Sequence, residues 1–310
     1  MSEEPTVSRR SFVAAVGTAA VGSAAGCLNM SSQSVSLLSA GSLATTFEDY
    51  VGPAFAEETG INVHGEYYGT NAVMRMVEDR TKHPDVIVSA DATLLRDRLY
   101  GEFTDWDVAF ATNSLGIGYR EATRFGEGLA AGEPWYELAR EADEGDIAIS
   151  DPDLDPLGYR AVQAFELAEA EHGLDGFRQA MLSSVYTEPE EPQMMAGVET
   201  GSRAAAIVYR NMAVDHDLPF FRFPDAYNFS DPELKDHYAT ATYTTDDGYT
   251  VPGRPIIYNM TVNEAADSPE AGRKLVSFVA ENPEILDEAG LTTRSSLPRT
   301  HGSVPEAIDV

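Results

Sequence analysis

The chain has 310 residues, 43% of them apolar, and carries 51 acidic against 21 basic residues, for a formal charge of −30. The apolar content suffices for a packed core in one or two domains, and the lack of a basic stripe argues against nucleic acid as a partner. The acids are dispersed, and only three of the basic residues are lysines. We therefore expect a halophilic protein whose surface carboxylates tolerate screening salt, with a generically acidic soluble protein as the alternative.

Residues 1–27 have the features of an export signal. Arg9 and Arg10 precede a short, weakly apolar stretch of mostly Ala, Gly and Val, which is typical of the twin-arginine route for folded proteins. Cys27, the single cysteine, follows three small residues as in a lipobox, so we expect a lipid on its sulfur and an anchor on the outer face of the cell membrane. Residues 28–34 are polar and suit a linker. A transmembrane helix and an unmodified cysteine are the alternative interpretations.

The rest of the chain alternates short apolar runs with helical patterns. In chain order, strands are expected at 35–38, 61–66, 85–88, 115–119, 147–149, 204–209 and 256–261. Helices are expected at 44–58, 71–79, 92–98, 156–172, 176–182, 269–280 and 283–289. This order predicts an α/β fold with mostly parallel sheets flanked by helices.

Two of these strands are placed to cross between two lobes. The strand at 115–119 leads into a second lobe, and the strand at 256–261 leads back. We assign residues 35–114 and 251–310 to lobe I and residues 115–250 to lobe II. Two lobes joined by two crossover segments leave a cleft, where a small ligand is expected.

Catalytic motifs are absent from the sequence. The six histidines show no metal-ligand spacing, and the chain has neither a Gly-x-Ser-x-Gly elbow nor a phosphate loop. Because Cys27 lies in the leader, no catalytic thiol remains in the mature chain. We therefore expect a protein that is not an enzyme, with a cell-surface enzyme or adhesion module as the less favoured alternative.

Small hydroxyl residues follow the first two predicted strands. Gly41-Ser42 and Gly69-Thr70 each stand where a strand turns into a helix. Free N–H groups at a helix N-terminus and side-chain hydroxyls both donate to anions, and glycine lets the backbone approach closely. The alternative is that Ser42 and Thr70 act as ordinary helix caps.

The second lobe offers carboxylates instead of donors. Asp155-Pro156 and Glu191-Pro192 each precede a helix-like stretch, where an acid would ordinarily act as a cap. A carboxylate that faces an anion repels it. These acids therefore suit an oxyanion site only if the ligand contains an electrophilic metal centre.

Several motifs, in order, resemble the archaeal tungstate/molybdate-binding proteins, and the similarity covers essentially all of residues 35–300. The motifs are Ser39-Ala40-Gly41-Ser42-Leu43, Pro84-Asp85-Val86-Ile87-Val88-Ser89-Ala90-Asp91, Asp155-Pro156-Leu157-Gly158-Tyr159-Arg160, Val198-Glu199-Thr200-Gly201 and Ala206-Ile207-Val208-Tyr209-Arg210. The last two also resemble bacterial molybdate-binding proteins.

The resemblance implies a two-lobed periplasmic-binding-protein-like fold that delivers tungstate or molybdate to an ABC permease with its ATPase. It places Gly41, Ser42 and Thr70 on the ligand oxygens and Tyr209 near the ligand. It also implies that Asp155, beside Pro156 and Leu157, and Glu191 approach the metal and make it six-coordinate. No resident cofactor is implied, and a monomer is expected.

This chain departs from the family pattern at the second acid. Many archaeal members have roughly thirty more residues before it, so Glu190 and Glu199 remain alternatives to Glu191. Ser202-Arg203-Ala204-Ala205 stands where the family has an acidic pair after its Glu-Thr-Gly motif. A binding protein for another oxyanion or metal-containing solute is the rival function.

Overall fold

The computed structural model describes residues 33–189 and 191–308. The predicted export signal, Cys27 and all but the last two residues of the predicted linker lie outside this part, as does Glu190. Among the described residues, no helix has both the length and the apolarity needed to cross a bilayer.

Thirteen strands and twelve α-helices are described. The strands are β1 Ser34–Ala40, β2 Asn62–Tyr68, β3 Val86–Ser89, β4 Trp106–Thr112, β5 Leu115–Tyr119, β6 Ile147–Ser150, β7 Tyr186–Glu188, β8 Ala205–Tyr209, β9 Phe220–Arg222, β10 Thr242–Thr244, β11 Thr250–Pro252, β12 Ile257–Val262 and β13 Arg299–Gly302. The helices are α1 Gly52–Thr59, α2 Thr70–Glu78, α3 Ala92–Leu99, α4 Arg124–Ala130, α5 Trp135–Glu141, α6 Pro156–His172, α7 Phe177–Ser184, α8 Met194–Thr200, α9 Arg210–Asp215, α10 Lys235–Tyr238, α11 Pro269–Glu281 and α12 Pro283–Glu288.

The strands form one large sheet in each lobe. The lobe I sheet has the order β13-β4-β12-β3-β1-β2, and the lobe II sheet has the order β7-β6-β8-β5-β9. Strands β10 and β11 form a separate hairpin. The chain passes between the two large sheets twice, once at 113–114 and once between β9 and β12. The two-lobed fold is therefore confirmed.

Both large sheets are mixed, so the expectation of mostly parallel sheets was wrong. Strands β2, β1 and β3 run parallel, whereas β12 is antiparallel to both β3 and β4. In lobe II, β6 is parallel to β7 and β8, whereas β5 is antiparallel to β8 and β9. The crossings explain this difference. Strands β1 and β3 run toward the cleft, whereas β12 enters lobe I from it and must run the opposite way.

Buried apolar side chains explain why these segments fold as they do. Strand β3 is buried along its whole length, as expected for a central strand covered by helices on both faces. Helix α2 buries one face through Val73, Met74 and Val77. Helix α6 is buried over most of its length, which makes it the central helix of lobe II.

Candidate ligand-binding site

Two turns of lobe I meet at the cleft edge of its sheet. Strands β1 and β2 are parallel neighbours with Ala40 opposite Tyr68, so both end at the same edge. Strand β1 is followed by a 3₁₀ turn at Gly41–Leu43, and β2 is followed by α2. Ser42 is 3% exposed and Thr70 is fully buried. Neither residue caps a helix through its side chain, so both hydroxyls are available for another role.

Lobe II contributes three polar residues from three different elements. Asp155 directly precedes α6, Glu191 begins a 3₁₀ turn that leads into α8, and Tyr209 ends β8. All three are at most 1% exposed. Pro156 and Leu157, also buried, form the first turn of α6.

The two lobes approach each other closely around these residues. The turn that holds Ser42 contacts the turn that begins with Glu191. The Ala72 N–H of α2 donates to the Leu154 carbonyl at 3.2 Å, next to Asp155. The structure therefore brings together all the residues predicted to bind the ligand. Lobe I contributes the turns at Gly41-Ser42 and Gly69-Thr70, and lobe II contributes the residues named above.

Three hydroxyl groups at this junction each accept a hydrogen bond from a neighbouring protein group. The Thr70 Oγ1 atom accepts from the Ala90 N–H at 3.2 Å, and the Tyr209 hydroxyl accepts from Arg160 Nη1 at 2.6 Å. The Ser42 Oγ atom accepts from the Tyr258 hydroxyl at 3.5 Å. Each hydroxyl keeps its own proton for donation. The junction can therefore offer three O–H donors to the oxygens of an anion.

The two carboxylates have few hydrogen bonds for their depth of burial. Asp155 Oδ2 accepts from the Ser150 hydroxyl at 2.8 Å, but Asp155 Oδ1 and both Glu191 oxygens have no hydrogen-bond partner of good geometry among the described residues. The Leu157 N–H lies close to Asp155 but makes no capping bond. Because buried carboxylates are normally hydrogen-bonded, paired or bound to a metal, these two acids mark the junction as a candidate binding site.

Burial governs the protonation of both acids. It raises the pKa of Asp155 from 3.8 to about 6, and the Ser150 hydroxyl opposes this shift by favouring the charged form. Burial also raises the pKa of Glu191 well above its usual range, and the nearby charge of Asp155 adds to that increase. Ser42 favours the charged form of Glu191 but does not offset these effects.

Sequence reasoning missed a group of hydrogen-bonded polar residues that pack against Ser42. Tyr258 is fully buried on β12, and its hydroxyl accepts from Asn113 Nδ2 at 3.1 Å. Asn113 Nδ2 also donates to Asn211 Oδ1 at 2.8 Å, and Asn211 Nδ2 donates to the Ser42 carbonyl at 2.6 Å. Asn113 precedes the first predicted crossover strand and Tyr258 lies within the second, and this position is the signal that could have found them. Asn211 has no such signal in the sequence.

The alternative second acids lie elsewhere or outside the described residues. The Glu199 side chain is 44% exposed and lies 2.8 Å from His216 Nδ1, on the outer surface of α8. Glu190 is not among the described residues. In the described ranges no group of three or more His, Cys, Asp or Glu side chains could hold a metal ion. Within the part of the chain that the structure describes, Asp155 and Glu191 are thus a pair of carboxylates and not a complete metal-binding set.

Comparisons with known proteins show the family to which the chain belongs. The family described as bacterial extracellular solute-binding proteins matches residues 35–292. A solute-binding protein of Halobacterium salinarum is 48% identical over 309 residues and covers 100% of both chains. A protein of Haloferax volcanii, named an ABC transporter molybdenum-binding protein, is 36% identical and covers 96% of both chains. The molybdate/tungstate-binding protein WtpA of Thermococcus kodakarensis is 28% identical, covering 92% of this chain and 91% of its own.

Solved structures share the fold at low sequence identity. The periplasmic molybdate-binding protein of Azotobacter vinelandii has a TM-score of 0.59 at 15% identity, covering 84% of this chain and 100% of its own. The sulfate-binding protein SubI of Mycobacterium tuberculosis also has a TM-score of 0.59, at 14% identity, covering 85% of this chain and 88% of its own. The fold is therefore common to binders of different oxyanions. The resemblance to the tungstate/molybdate-binding proteins is confirmed by the relatives.

Proposed function

Because this chain belongs to the family of bacterial extracellular solute-binding proteins, we propose that it captures tungstate or molybdate between its lobes and delivers it to an ABC permease with its ATPase. The names of the relatives from Haloferax and Thermococcus support this choice of ligand. The family is made of binding proteins and not enzymes. In this proposal the chain acts as a monomer and needs no resident cofactor, since the metal arrives within the ligand.

The observation that carries the proposal is the pairing of hydroxyl donors with unpaired carboxylates. Ser42, Thr70 and Tyr209 would donate to the oxygens of the bound anion. Asp155 and Glu191 would approach its metal atom, which can accept two further oxygens. That contact would satisfy the carboxylate oxygens that have no hydrogen bond in the described part of the chain.

The same pair of carboxylates argues against sulfate and phosphate. Neither sulfur nor phosphorus offers additional coordination positions, so both acids would only repel these anions. Since a sulfate-binding protein has the same fold, the fold cannot select the ligand. In our proposal the selection comes from Asp155 and Glu191.

Titration calorimetry in high salt tests the proposal. The protein should bind tungstate or molybdate and show no comparable affinity for sulfate or phosphate. Asp155→Ala and Glu191→Ala should strongly reduce tungstate affinity, whereas loss of a residue that acted only as a helix cap would cost about 1 kcal/mol of stability and leave binding intact. Tight sulfate binding would contradict the coordination model. Normal binding by Glu191→Ala together with a defect in Glu190→Ala would move the second ligand to Glu190.

We also propose that the protein is exported through its twin-arginine signal and anchored by a lipid on Cys27. The extracellular family supports export, and the residues around Cys27 motivate the anchor. Replacing Arg9 and Arg10 by Lys should leave precursor in the cytoplasm. Cys27→Ser should release soluble protein from the cell. If Cys27→Ser protein stays bound to the membrane with its leader intact, the lipid anchor is wrong.

A further inference from the structure

A fully buried arginine connects the two lobes one turn beyond Asp155. Arg160 lies on α6 in lobe II. Its Nη1 donates to the Ala90 carbonyl of lobe I at 3.0 Å and to the Tyr209 hydroxyl of lobe II at 2.6 Å. Its Nη2 donates to Asp91 Oδ2 of lobe I at 3.2 Å. One guanidinium therefore holds groups from both sides of the cleft.

The lobe I end of this bridge is itself well fixed. Asp91 Oδ1 caps α3 by accepting from two backbone N–H groups of its first turn. Asp91 Oδ2 also accepts from the Tyr159 hydroxyl of α6 at 2.7 Å, which is a second contact from lobe II. Arg254, which lies between β11 and β12, places Nη1 3.7 Å from Asp91 Oδ1. Asp91 is thus a rigid acceptor that Arg160 can reach only while the lobes are together.

From this geometry we infer that Arg160 is a positioning residue, which presents Tyr209 to the ligand as a hydrogen-bond donor when the lobes close. The inference rests on the proposed function. An arginine can only donate, so its N–H occupies an acceptor position on the Tyr209 oxygen. The tyrosine proton is left to point at another acceptor. In the described structure no acceptor receives it with good geometry, so an oxygen of the bound anion can.

Arg160 suits this task better than a lysine would. Its planar group provides several N–H donors in a fixed arrangement, so Asp91, Ala90 and Tyr209 are served at once. A lysine keeps the charge but not this geometry. When the lobes separate, Ala90 and Asp91 leave the guanidinium, so Arg160 keeps only Tyr209 of its own lobe and the orientation of both side chains is less fixed. The bridge therefore links lobe closure to the donor set of the site.

A double-mutant cycle tests the inference with sodium tungstate as the probe. Arg160→Lys and Tyr209→Phe should each weaken tungstate binding by about tenfold or more, as expected for a hydrogen bond to a charged group. The double variant should be hardly weaker than either single one, because Arg160 acts through Tyr209. Arg96→Lys is the matched control, since Arg96 makes a similar pair with buried Asp107 within lobe I. It should leave tungstate affinity within about twofold.

Asp91→Asn provides a second test that does not alter the arginine. Asparagine caps a helix as well as aspartate does, so α3 should remain intact. If Asp91 mattered only through its charge, its removal would favour an anion and tighten binding. The bridge predicts weaker binding and faster release of tungstate instead. Asp107→Asn is the corresponding control within lobe I.

The outcomes separate this inference from the proposed function. The wild-type protein could bind tungstate while Arg160→Lys has the same tungstate affinity as Arg96→Lys, or while the affinity losses of Arg160→Lys and Tyr209→Phe add in the double variant. In either case the positioning role is wrong and the proposed function stands. If the wild-type protein binds only sulfate or phosphate and the variants show the coupled loss, the ligand is wrong and the bridge stands. If it binds none of the anions, both are wrong.

Discussion

Buried acids in this chain fall into two groups. In the described part of the chain five acidic side chains are buried: Asp85, Asp91, Asp107, Asp155 and Glu191. The first three are compensated by arginines or by several N–H and hydroxyl donors. Asp155 and Glu191 face each other with far less compensation. Uncompensated buried charge is costly, so this pair is the strongest physical sign of a ligand-binding site.

This pair of buried acids should lower the stability of the ligand-free protein relative to a variant in which one of them is neutral. The pKa of Asp155 lies near 6 in the folded chain, whereas its usual value is 3.8. Between pH 3.8 and pH 6 the folded chain therefore binds more protons than the unfolded chain. The contribution of Asp155 to stability therefore falls as the pH rises through this window. Asp155→Asn should raise the unfolding free energy of ligand-free protein at about pH 8, by roughly 1–3 kcal/mol, while tungstate binding is lost.

Urea unfolding at about pH 8 and about pH 4 measures this effect. The gain from Asp155→Asn should be much smaller near pH 4, where the wild-type carboxyl is protonated in the folded state and close to half protonated in the unfolded state. Asp107→Asn serves as the control, because it removes the partner of Arg96 and should destabilise at both pH values. A loss of stability on Asp155→Asn at about pH 8 would contradict the prediction.

Gly69 sets how closely the two lobes approach. Its φ of −55° is open to any residue, so the need for glycine is steric. A Cβ atom there would lie 2.4 Å from the Leu154 carbonyl oxygen and 2.9 Å from Asp155 Cβ, both across the cleft. Gly69→Ala should therefore weaken tungstate binding by about tenfold or more with little change in ligand-free stability.

Gly272→Ala is a suitable control for this prediction. A Cβ atom at Gly272 would crowd the side chains of Val262 and Val86 at 3.1–3.2 Å, entirely within lobe I. It should lower stability and leave tungstate binding unchanged, as calorimetry and thermal unfolding would show. Equal binding losses in the two variants would mean that Gly69 is not specific to closure.

The sequence reveals some of these residues and conceals others for physical reasons. Ser42, Thr70 and Asp155 stand beside a Gly or Pro at the end of an apolar run, where a strand must turn into a helix. Tyr258 and Asn113 have no such local sign. They reach the site only because β12 is inserted between β3 and β4, and sheet order is not encoded in a local pattern.

At the scale of elements, prediction depends on how strongly the ends are marked. Helix α6 was predicted with both ends correct, since Pro156 begins it and Gly173 ends it in a left-handed conformation. The helix predicted at 44–58 instead begins with a π-helical turn at Thr46–Val51, followed by α1. Pro53 explains this, because it lacks the N–H that would continue the regular pattern.

Strand β4 was missed although it is buried along its whole length. Trp106, Val108 and Phe110 alternate as strand formers do, but the residues between them, Asp107, Ala109 and Ala111, have low β-propensity and obscure that pattern. Asp107 is tolerated there because Arg96 donates to both of its oxygens, at 2.7 and 2.8 Å. A tertiary ion pair thus overrides the local preference.

The β10–β11 hairpin connects the edges of both lobes outside the ligand site. Asp247 in its loop lies 3.2 Å from Arg98 and 3.4 Å from Arg75, both of lobe I. The Tyr243 hydroxyl donates to Asp153 of lobe II at 3.2 Å. The hairpin therefore contacts both lobes through partly exposed polar groups.

Asp247→Asn should lower the free energy of unfolding slightly, by an amount that depends on the salt concentration. A hydrogen bond from Thr245 and the nearby Arg98 lower the pKa of Asp247 to about 2, so its contribution is lost only as the pH falls below about 4. Exposed ion pairs contribute at most about 1 kcal/mol and are screened by salt. The loss of stability should be measurable at low salt and vanish in molar KCl. Asp246→Asn is the control, because Asp246 contacts Asp153 through its backbone N–H.

At the scale of the whole molecule, charge dominates. The formal charge of −30 lies mostly on the surface, since only five of the acids are buried in the described ranges. Helices α11 and α12 illustrate this with exposed Glu281, Glu284 and Glu288, which have no ion-pair partner among the described residues. At low ionic strength such groups repel one another in the folded state more than in the expanded chain.

The melting temperature should therefore rise from about 0.1 M salt into the molar range, where the Debye length falls from about 10 Å to about 3 Å. Changing Glu281, Glu284 and Glu288 together to Gln should raise the melting temperature at low salt and have little effect in molar KCl.

A comparison of potassium chloride with potassium sulfate distinguishes screening of charge from general salting-out, because the two salts differ in how strongly they are excluded from apolar surface. If screening dominates, the two salts should act alike at equal ionic strength at the low end of the range, and the triple variant should show a smaller salt response than the wild-type protein. A melting temperature independent of salt, or an equal salt response in the triple variant, would show that surface repulsion does not limit the stability of this fold.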